Sequence, residues 1–255
     1  MKAFIKKSLA FAGLELKRVR TEKSAFDVQS ALCKNPHPVI FDVGANIGQT
    51  IAVYRRLFPT SRIYAFEPFP DSFLALTRSF AHDKNTTLLD MALSDRSGDA
   101  RLFSNTDSVT NSLLETIDGA ERFWGDVVRT KNVVSVRVDT LSNFCRTHSI
   151  DYIDILKIDT QGTELAILRG ADDLLGRKAI DLLYFEMILA PTYSHQTRID
   201  ECFSYLYKMG YRLKNIYNLW QQDNELLQCD VLFTGHQNLQ LGNVLKGLCT
   251  RVRCV

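Results

Sequence analysis

The sequence predicts an α/β fold in which helices cover both faces of a doubly wound, mostly parallel sheet. Short apolar or β-branched runs alternate along the chain with longer segments of helical period, and this alternation is typical of βαβ units. The chain has 255 residues, of which 45% are hydrophobic, so it has enough apolar material for one core on each side of a sheet. A single domain with extra segments at its ends is the expected organisation.

The strands and helices are predicted from these runs in chain order. Apolar runs predict strands at residues 39–43, 62–66, 87–92, 100–104, 133–138, 153–158, 180–186 and 229–234. Segments of helical period predict helices at residues 48–58, 70–81, 140–145, 163–175 and 196–209. Pro59 ends the first of these helices, Asp139 or Thr140 caps the third, and Gly210 ends the last. A turn rich in Ser, Asp and Gly at 94–99 precedes the fourth strand.

The predicted domain covers residues 37–235, between an N-terminal helical extension at 1–36 and a C-terminal tail at 236–255. An insertion at about 105–130 interrupts the alternation of strands and helices. The insertion is polar overall, but it contains four apolar anchor residues: Leu113, Leu114, Phe123 and Trp124. A polar segment with such anchors is typical of a loop or lid that covers a substrate.

Charge and targeting signals narrow the classes of partner. The formal net charge is +2, from 31 basic and 29 acidic residues mixed along the chain, so a nucleic acid partner is not expected. Near the N-terminus, basic residues interleave with apolar ones at roughly helical spacing. Two interpretations fit this segment: a helix packed on the domain, or a peripheral contact with a membrane surface. Glu15 and Lys17 break the apolar run that a signal peptide needs.

The six cysteines form no CxxC pair and have no metal-ligand spacing; they lie at positions 33, 145, 202, 229, 249 and 254. Scattered reduced thiols are therefore expected, and they are typical of a cytoplasmic protein. A disulfide between Cys249 and Cys254 stays open as an alternative. The oligomeric state cannot be read from the sequence.

The most informative stretch is the apolar run at 39–43 and the glycine turn that follows it. Four residues of this turn are expected at a cofactor: Gly44, Ala45, Asn46 and Gly48. A nicotinamide dinucleotide site would need GxGxxG, but Asn46 and Gln49 occupy its second and third glycine positions. The turn instead suits a cofactor without a pyrophosphate, whose amino-acid part lies against it with Asp42 near the ammonium group.

Residues after the next two strands indicate a nucleoside. Glu67 ends the second strand, 25 residues after Asp42, where a carboxylate accepts hydrogen bonds from both ribose hydroxyls. Asp90 and Ala92 lie at the end of the third strand, where an adenine is expected. Asp90 would supply a polar group there and Ala92 an apolar neighbour.

Four motifs carry a resemblance to a known family: FDVGANIG at 41–48, FEP at 66–68, ALSD at 92–95 and LKIDTQGTE at 156–164. Over residues 39–213 the chain resembles the FkbM-type S-adenosylmethionine-dependent methyltransferases. The resemblance implies a Rossmann-like class I methyltransferase fold with a seven-stranded sheet, and S-adenosylmethionine as cofactor. It also implies O-methylation of a hydroxyl on a sugar, a glycan or a natural product. The pair Thr160-Gln161 departs from the family, which often has Val-Glu before this glycine.

Candidates for catalysis end the central strands, because ligands of open parallel sheets bind beyond the carboxyl ends of the strands. Asp159 is the first candidate for a general base, Glu186 the second and His195 the third. Lys157 shares a strand face with Asp159, so its ammonium is expected to orient that carboxylate, as a purely structural ion pair also would. Alternatively, Asp159 and Glu186 hold a divalent cation, which the reaction does not require. Glu164 has the simpler role of favouring a helix dipole.

Two other classes stay open. One is an NAD(P)-dependent oxidoreductase on a similar sheet, and the broken GxGxxG motif disfavours it. The other is a binding protein that keeps the fold without chemistry, and the retained Asp159 and Glu186 disfavour it. Amino-methylating enzymes of nucleic acids usually carry an Asn- or Asp-Pro-Pro-aromatic motif after the fourth strand, which the sequence at 159–162 does not fit. The acceptor depends on the insertion and on the loop around Tyr193.

Overall fold

The computed structural model describes residues 23–235. Residues 1–22 and 236–255 lie outside the described residues, so the membrane contact of the basic N-terminal segment stays a prediction. The described helices are α1 Ala25–Leu32, α2 Gln49–Leu57, α3 Pro70–Phe80, α4 Glu121–Trp124, α5 Leu141–Thr147, α6 Glu164–Arg169, α7 Asp172–Gly176 and α8 Ile199–Lys208. The described strands are β1 Val39–Val43, β2 Arg62–Phe66, β3 Thr86–Leu89, β4 Ala92–Leu93, β5 Gly98–Asn105, β6 Thr130–Asp139, β7 Ile153–Ile158, β8 Ile180–Ile188, β9 Arg212–Gln222 and β10 Glu225–Thr234.

A seven-stranded sheet in the order β3-β2-β1-β7-β8-β10-β9 confirms the predicted doubly wound α/β fold. Strands β3, β2, β1, β7 and β8 pair in parallel, and β10 runs antiparallel to both of its neighbours. The chain order reverses direction between β1 and β7, so the crevice beyond their carboxyl ends is the expected place for a ligand.

Burial on both sides makes β1 a rigid support for the loop that follows it. All five residues of β1 are buried. Phe41 and Val43 belong to an apolar cluster that includes residues of α5 to α8, and Ile40 belongs to a second cluster with residues of α1 to α3. Because full burial of a large apolar side chain contributes about 1.5–3 kcal/mol, this strand is held firmly between two layers of helices.

A second, three-stranded sheet in the order β4-β6-β5 carries the insertion. The prediction of one strand over 87–92 was wrong, because the chain leaves the main sheet after Leu89. Ala92 and Leu93 pair instead with Val138 and Asp139 of β6. The long hairpin of β5 and β6 ends where β5 reaches Asn105, which agrees with the predicted start of the insertion.

Two further elements differ from the prediction for identifiable reasons. The predicted helix at 163–175 is divided into α6 and α7 at Gly170, where the backbone carbonyl of Ser94 packs so closely that a Cβ would lie 2.0 Å from it. The edge strand β9 is not predicted, because most of its side chains are exposed and no apolar alternation marks it. Within residues 23–235, Cys33, Cys145, Cys202 and Cys229 are free thiols. No helix in this part of the chain is long and apolar enough to cross a membrane.

Candidate active site

A cavity of about 250 Å³ opens at the carboxyl ends of β1, β2 and β7. Seven of the predicted site residues line it: Gly44, Ala45, Asn46, Glu67, Ala92, Lys157 and Asp159. Four others do not line it: Asp42, Gly48, Asp90 and Glu186. Most of the predicted site residues therefore line one cavity, and the four remaining residues have other surroundings.

The glycine turn brings β1 and β7 into contact beside the cavity. Gly44 has a φ of +78°, and a Cβ there would lie 1.8 Å from the backbone oxygen of Asp159. Glycine at this position therefore satisfies both the left-handed backbone and the close approach of the two strands. Gly48, with a φ of +96°, is the N-cap of α2 and provides no side-chain cap. The first residues of α2, Gln49 and Thr50, line the cavity, so the positive end of the helix dipole faces a ligand.

Glu67 is a buried carboxylate whose two oxygens are already oriented by backbone donors. Its Oε2 accepts a hydrogen bond from Asn46 N at 2.8 Å, and its Oε1 accepts one from Phe69 N at 2.9 Å. Burial raises the pKa of Glu67 to about 7, although both hydrogen bonds oppose the rise. Each oxygen keeps a further lone pair, so the carboxylate can accept two more hydrogen bonds from a ligand diol.

An ion-pair network lies under the floor of the cavity. Lys157 Nζ lies 3.0 Å from Asp42 Oδ1 and 3.6 Å from Asp159 Oδ2, and it donates a hydrogen bond to the carbonyl oxygen of Gly44 at 3.0 Å. The carboxylates raise the pKa of Lys157 against the effect of its burial, so the ammonium is retained. Asp42 is 0% exposed, and burial raises its pKa although Lys157 opposes the rise. Asp42 thus pairs with Lys157 beside the cavity, and its predicted place near the cofactor ammonium stays a prediction.

The side chain of Gln161 links Asp159 to Glu186. In the sequence, Gln161 is only a departure from the family pattern. Gln161 Nε2 donates to Asp159 Oδ1 at 3.2 Å and to Glu186 Oε2 at 2.7 Å. The Asp159 side chain is 40% exposed and lines the cavity. Burial and nearby carboxylates raise the pKa of Glu186 well above its usual range. Asp159 is therefore the carboxylate that a substrate can reach.

The adenine end of the predicted site is apolar. Met91, Ala92 and Leu93 line this part of the cavity, as expected for Ala92. The Asp90 side chain is exposed, pairs with the guanidinium of Arg137 on β6 and does not line the cavity, so its place at the adenine stays a prediction. His195 is likewise exposed and does not line the cavity.

The insertion lines part of the cavity, and its role as a lid over a substrate stays a prediction. Five of its residues line the cavity: Ser108, Val109, Asn111, Ser112 and Leu113. Trp124, one of the predicted anchors, donates through Nε1 to Thr192 Oγ1 at 2.7 Å. Thr116 and Tyr193 form an isolated β-bridge, so the insertion is attached to the loop after β8. The two segments expected to choose the acceptor are thus in contact with each other.

Two details bear on the ligand. Asn46 Oδ1 and Asn111 Nδ2 are buried without a hydrogen-bond partner, and both residues line the cavity. Within residues 23–235, no group of three or more His, Cys, Asp or Glu residues is arranged to hold a metal ion.

Comparison with known proteins identifies the chain's relatives. The Methyltransferase FkbM domain matches residues 42–213. The 2-O-methyltransferase NoeI of Sinorhizobium fredii is 26% identical over 153 residues, 57% of this chain and 62% of the relative. The 31-O-demethyl-FK506 methyltransferase FkbM of Streptomyces tacrolimicus is 28% identical over 158 residues, 54% of this chain and 61% of the relative. The hexuronic acid methyltransferase AglP of Haloferax volcanii is 26% identical over 164 residues, 63% of this chain and 62% of the relative.

The chain thus spans about three fifths of the length of these curated relatives. Among solved structures, a methyltransferase FkbM from Methylobacillus flagellatus KT aligns with a TM-score of 0.48 at 15% identity, over 81% of this chain and 47% of that chain.

Proposed function

The chain belongs to the FkbM methyltransferase family, and from this premise we propose that it transfers the methyl group of S-adenosylmethionine to a hydroxyl of a sugar, glycan or natural-product acceptor. One observation carries the proposal. The cavity joins a buried carboxylate suited to a ribose, Glu67, to an exposed carboxylate suited to a hydroxyl, Asp159. A single ligand lying between them has its nucleoside at one end and its reactive group at the other.

The residues of the cavity fit S-adenosylmethionine better than a dinucleotide. Lys157 is the one cationic side chain among the described residues that line the cavity, and Asp42 and Asp159 already pair with it. A pyrophosphate would therefore meet carboxylates without a free counter-ion. The unpartnered Oδ1 of Asn46 is an acceptor suited to an ammonium donor, and the carboxylates favour a cationic sulfonium.

Different residues of the cavity would contact the ribose, the adenine and the methionine part of the cofactor. Glu67 would accept hydrogen bonds from the two ribose hydroxyls, and the apolar residues at 91–93 would enclose the adenine. The positive end of α2 would favour the carboxylate of the methionine part, and Asn46 its ammonium. When bound, S-adenosylmethionine supplies a methyl group on a sulfonium, which is already a strong electrophile. The protein has to align the acceptor oxygen and take up its proton.

Asp159 is the proposed general base. Its carboxylate is exposed to the cavity, while Lys157 on one side and Gln161 on the other hold it in place. General base catalysis of this kind typically contributes roughly 10²–10⁴-fold, and alignment of the two reactants about 7–11 kcal/mol. Glu186 remains the second candidate, reached through Gln161. The Gln161 amide occupies the position between Asp159 and Glu186 that a bridging cation would need, which favours a reaction without metal.

The acceptor class is supported by the insertion and by the relatives. Ser108 and Asn111 offer a hydroxyl and an amide group to the cavity, and such groups recognise a polyhydroxylated acceptor. Two of the relatives are named for methylation at an oxygen atom, and a third is named a hexuronic acid methyltransferase. Together they favour a small-molecule or glycan hydroxyl over a nucleic acid.

A transfer assay with methyl-labelled S-adenosylmethionine and a panel of monosaccharides, oligosaccharides and polyketide alcohols tests this proposal. Asp159→Asn is expected to lower turnover by roughly 10²-fold or more while the affinity for S-adenosylhomocysteine stays within about twofold. Asp99→Asn, at an exposed position on β5, is the matched control and is expected to keep full turnover. Normal turnover in Asp159→Asn would remove Asp159 from the mechanism.

A further inference from the structure

The short turn after β7 holds a glutamine whose side chain contacts both candidate carboxylates. Gln161 Nε2 lies 3.2 Å from Asp159 Oδ1 and 2.7 Å from Glu186 Oε2, and it donates to both. Gln161 Oε1 lies 3.1 Å from the hydroxyl oxygen of Tyr193, a buried residue on the loop after β8. The amide is therefore held between two carboxylates on one side and a hydroxyl on the other.

The chemistry of these neighbours fixes the orientation of the amide. An amide nitrogen has two N–H donors, one for each carboxylate, and the amide oxygen has none. If the amide were reversed, its oxygen would face both carboxylates and repel them. The hydroxyl of Tyr193 lies 2.8 Å from the carbonyl oxygen of Thr110, in the insertion, so Tyr193 is itself held in place.

We infer that Gln161 is a positioning residue: its amide holds Asp159 in line with the acceptor and lets Asp159 and Glu186 lie side by side without a cation. This inference rests on the proposed function, because it assigns Asp159 to the proton-transfer step. Asp159 is then held on both sides, by Gln161 at Oδ1 and by Lys157 at Oδ2, and its remaining lone pairs face the cavity. Glutamate at position 161 would have the same shape but could donate a hydrogen bond only when protonated.

The electrostatic surroundings make this role measurable. The charged and titratable groups that act on Glu186 come from several packed elements: Lys157, Asp159, Glu164, Tyr184, Tyr193, Cys229 and Asp230. Gln228 Nε2 donates to the second oxygen of Glu186 at 2.9 Å. The hydrogen bond from Gln161 lowers the pKa of Glu186 against the effects of burial and of the neighbouring carboxylates. Loss of that donor should therefore move the titration of Glu186 upward.

Two substitutions of similar shape separate positioning from packing. Gln161→Met removes both donors, and Gln161→Glu replaces them with a third carboxylate; both variants carry the same left-handed backbone at this position. Carboxyl-carbon NMR of the cofactor-free protein is expected to show a higher pKa of Glu186 in Gln161→Met than in the wild type, and a still higher one in Gln161→Glu. Identical titrations in wild type and both variants would overturn the inference.

Steady-state kinetics provide a second test of the positioning role of Gln161. In Gln161→Met, kcat is expected to fall about tenfold or more while KM for the acceptor and the affinity for S-adenosylhomocysteine stay within about twofold. The rising limb of the kcat–pH profile should move in Gln161→Glu, and an unmoved limb in both variants would contradict a positioning role. If either variant does not fold, Tyr193→Phe tests the same amide by removing its contact at Oε1. It is expected to raise the pKa of Glu186 by less than Gln161→Met does, and an unchanged titration would contradict the inference.

The two proposals fail in different ways. A wild-type protein that does not bind S-adenosylhomocysteine contradicts the proposed function, while the NMR titration of the cofactor-free protein still tests the contact of Gln161 with the two carboxylates. A wild-type protein that transfers methyl groups but has a titration insensitive to position 161 contradicts the role of Gln161 alone.

Discussion

Replacing Lys157 by Met is expected to lower the free energy of unfolding by about 3–5 kcal/mol, because it leaves a buried carboxylate without its counter-ion. Asp42 is 0% exposed, and its Oδ1 lies 3.0 Å from Lys157 Nζ. The same ammonium donates to the carbonyl oxygen of Gly44 at 3.0 Å and lies 3.6 Å from Asp159 Oδ2. Methionine preserves most of the aliphatic packing of Lys157, so the loss reports on these polar contacts.

The pH dependence of the loss tests its cause. Burial raises the pKa of Asp42 above its ordinary value of 3.8, and Lys157 is the main opposing influence, so the substitution raises this pKa further. A carboxyl group with a raised pKa binds more protons in the folded than in the unfolded protein, between the two pKa values. Stability therefore falls as the pH rises through that window. The loss in Lys157→Met is expected to be larger at about pH 8 than at about pH 5.

Urea unfolding at both pH values measures these differences in the wild type, Lys157→Met, Asp42→Asn and the double variant. The double variant has no buried charge at this site, so it is expected to be about 2 kcal/mol more stable than Lys157→Met. Two results would show that the unpaired Asp42 carboxylate does not cause the loss of stability. One is a loss below about 1 kcal/mol at about pH 8, and the other is a double variant no more stable than Lys157→Met.

Three other predictions address the cofactor and the lid. Gly44→Ala is expected to destabilise the protein by about 2–5 kcal/mol, because the new Cβ would lie 1.8 Å from a backbone oxygen and the φ of +78° is strained. In Gly176→Ala, the control, the new Cβ meets nothing within 4 Å, so thermal melts should show a nearly unchanged stability. Because the pKa of Glu67 is about 7 and its ionised form accepts the ribose donors, the affinity for S-adenosylhomocysteine should fall about tenfold from about pH 8 to about pH 6 in calorimetric titrations. Trp124→Phe removes the 2.7 Å hydrogen bond from the insertion to the loop after β8, so limited proteolysis should cut the insertion several-fold faster.

For each of these three predictions, one outcome would contradict the stated cause. Equal stability of Gly44→Ala and Gly176→Ala would show that the turn after β1 relaxes without strain. An affinity that does not change with pH, or the same pH dependence in Glu67→Gln, would show that Glu67 does not titrate at the ribose site. Unchanged proteolysis of Trp124→Phe would show that the insertion is held by its backbone contacts with the loop alone.

The sequence predicts the central strands well because they are buried on both faces. β1, β2 and β7 have the predicted limits, since continuous apolar runs bounded by polar turns leave little choice of register. β9 was missed because an exposed edge strand has no such run. The predicted third strand extended too far because Ala92 and Leu93 are as apolar as β3, although they pair with β6 in the second sheet. Local pattern does not encode which sheet a strand joins.

Five of the eight predicted cofactor residues and two of the three predicted catalytic residues line the cavity. Gly44, Asn46 and Glu67 follow adjacent parallel strands, so their positions in sequence place them at one edge of the sheet. The pairing of Asp90 with Arg137 depends on the path of the second sheet, which the sequence pattern does not show. The hydrogen bond from Gln161 to Glu186, which links Glu186 to Asp159, spans 25 residues of sequence, and only the three-dimensional structure shows it.

Calorimetric titration with S-adenosylhomocysteine, and separately with NAD, tests the central claim most directly. The protein is expected to bind S-adenosylhomocysteine at one site and not to bind NAD. Glu67→Gln should weaken the binding of S-adenosylhomocysteine by about 100-fold, because charge-assisted hydrogen bonds to the ribose are lost. Absence of S-adenosylhomocysteine binding, or binding of NAD that depends on Glu67, would contradict the assignment of this cavity to S-adenosylmethionine.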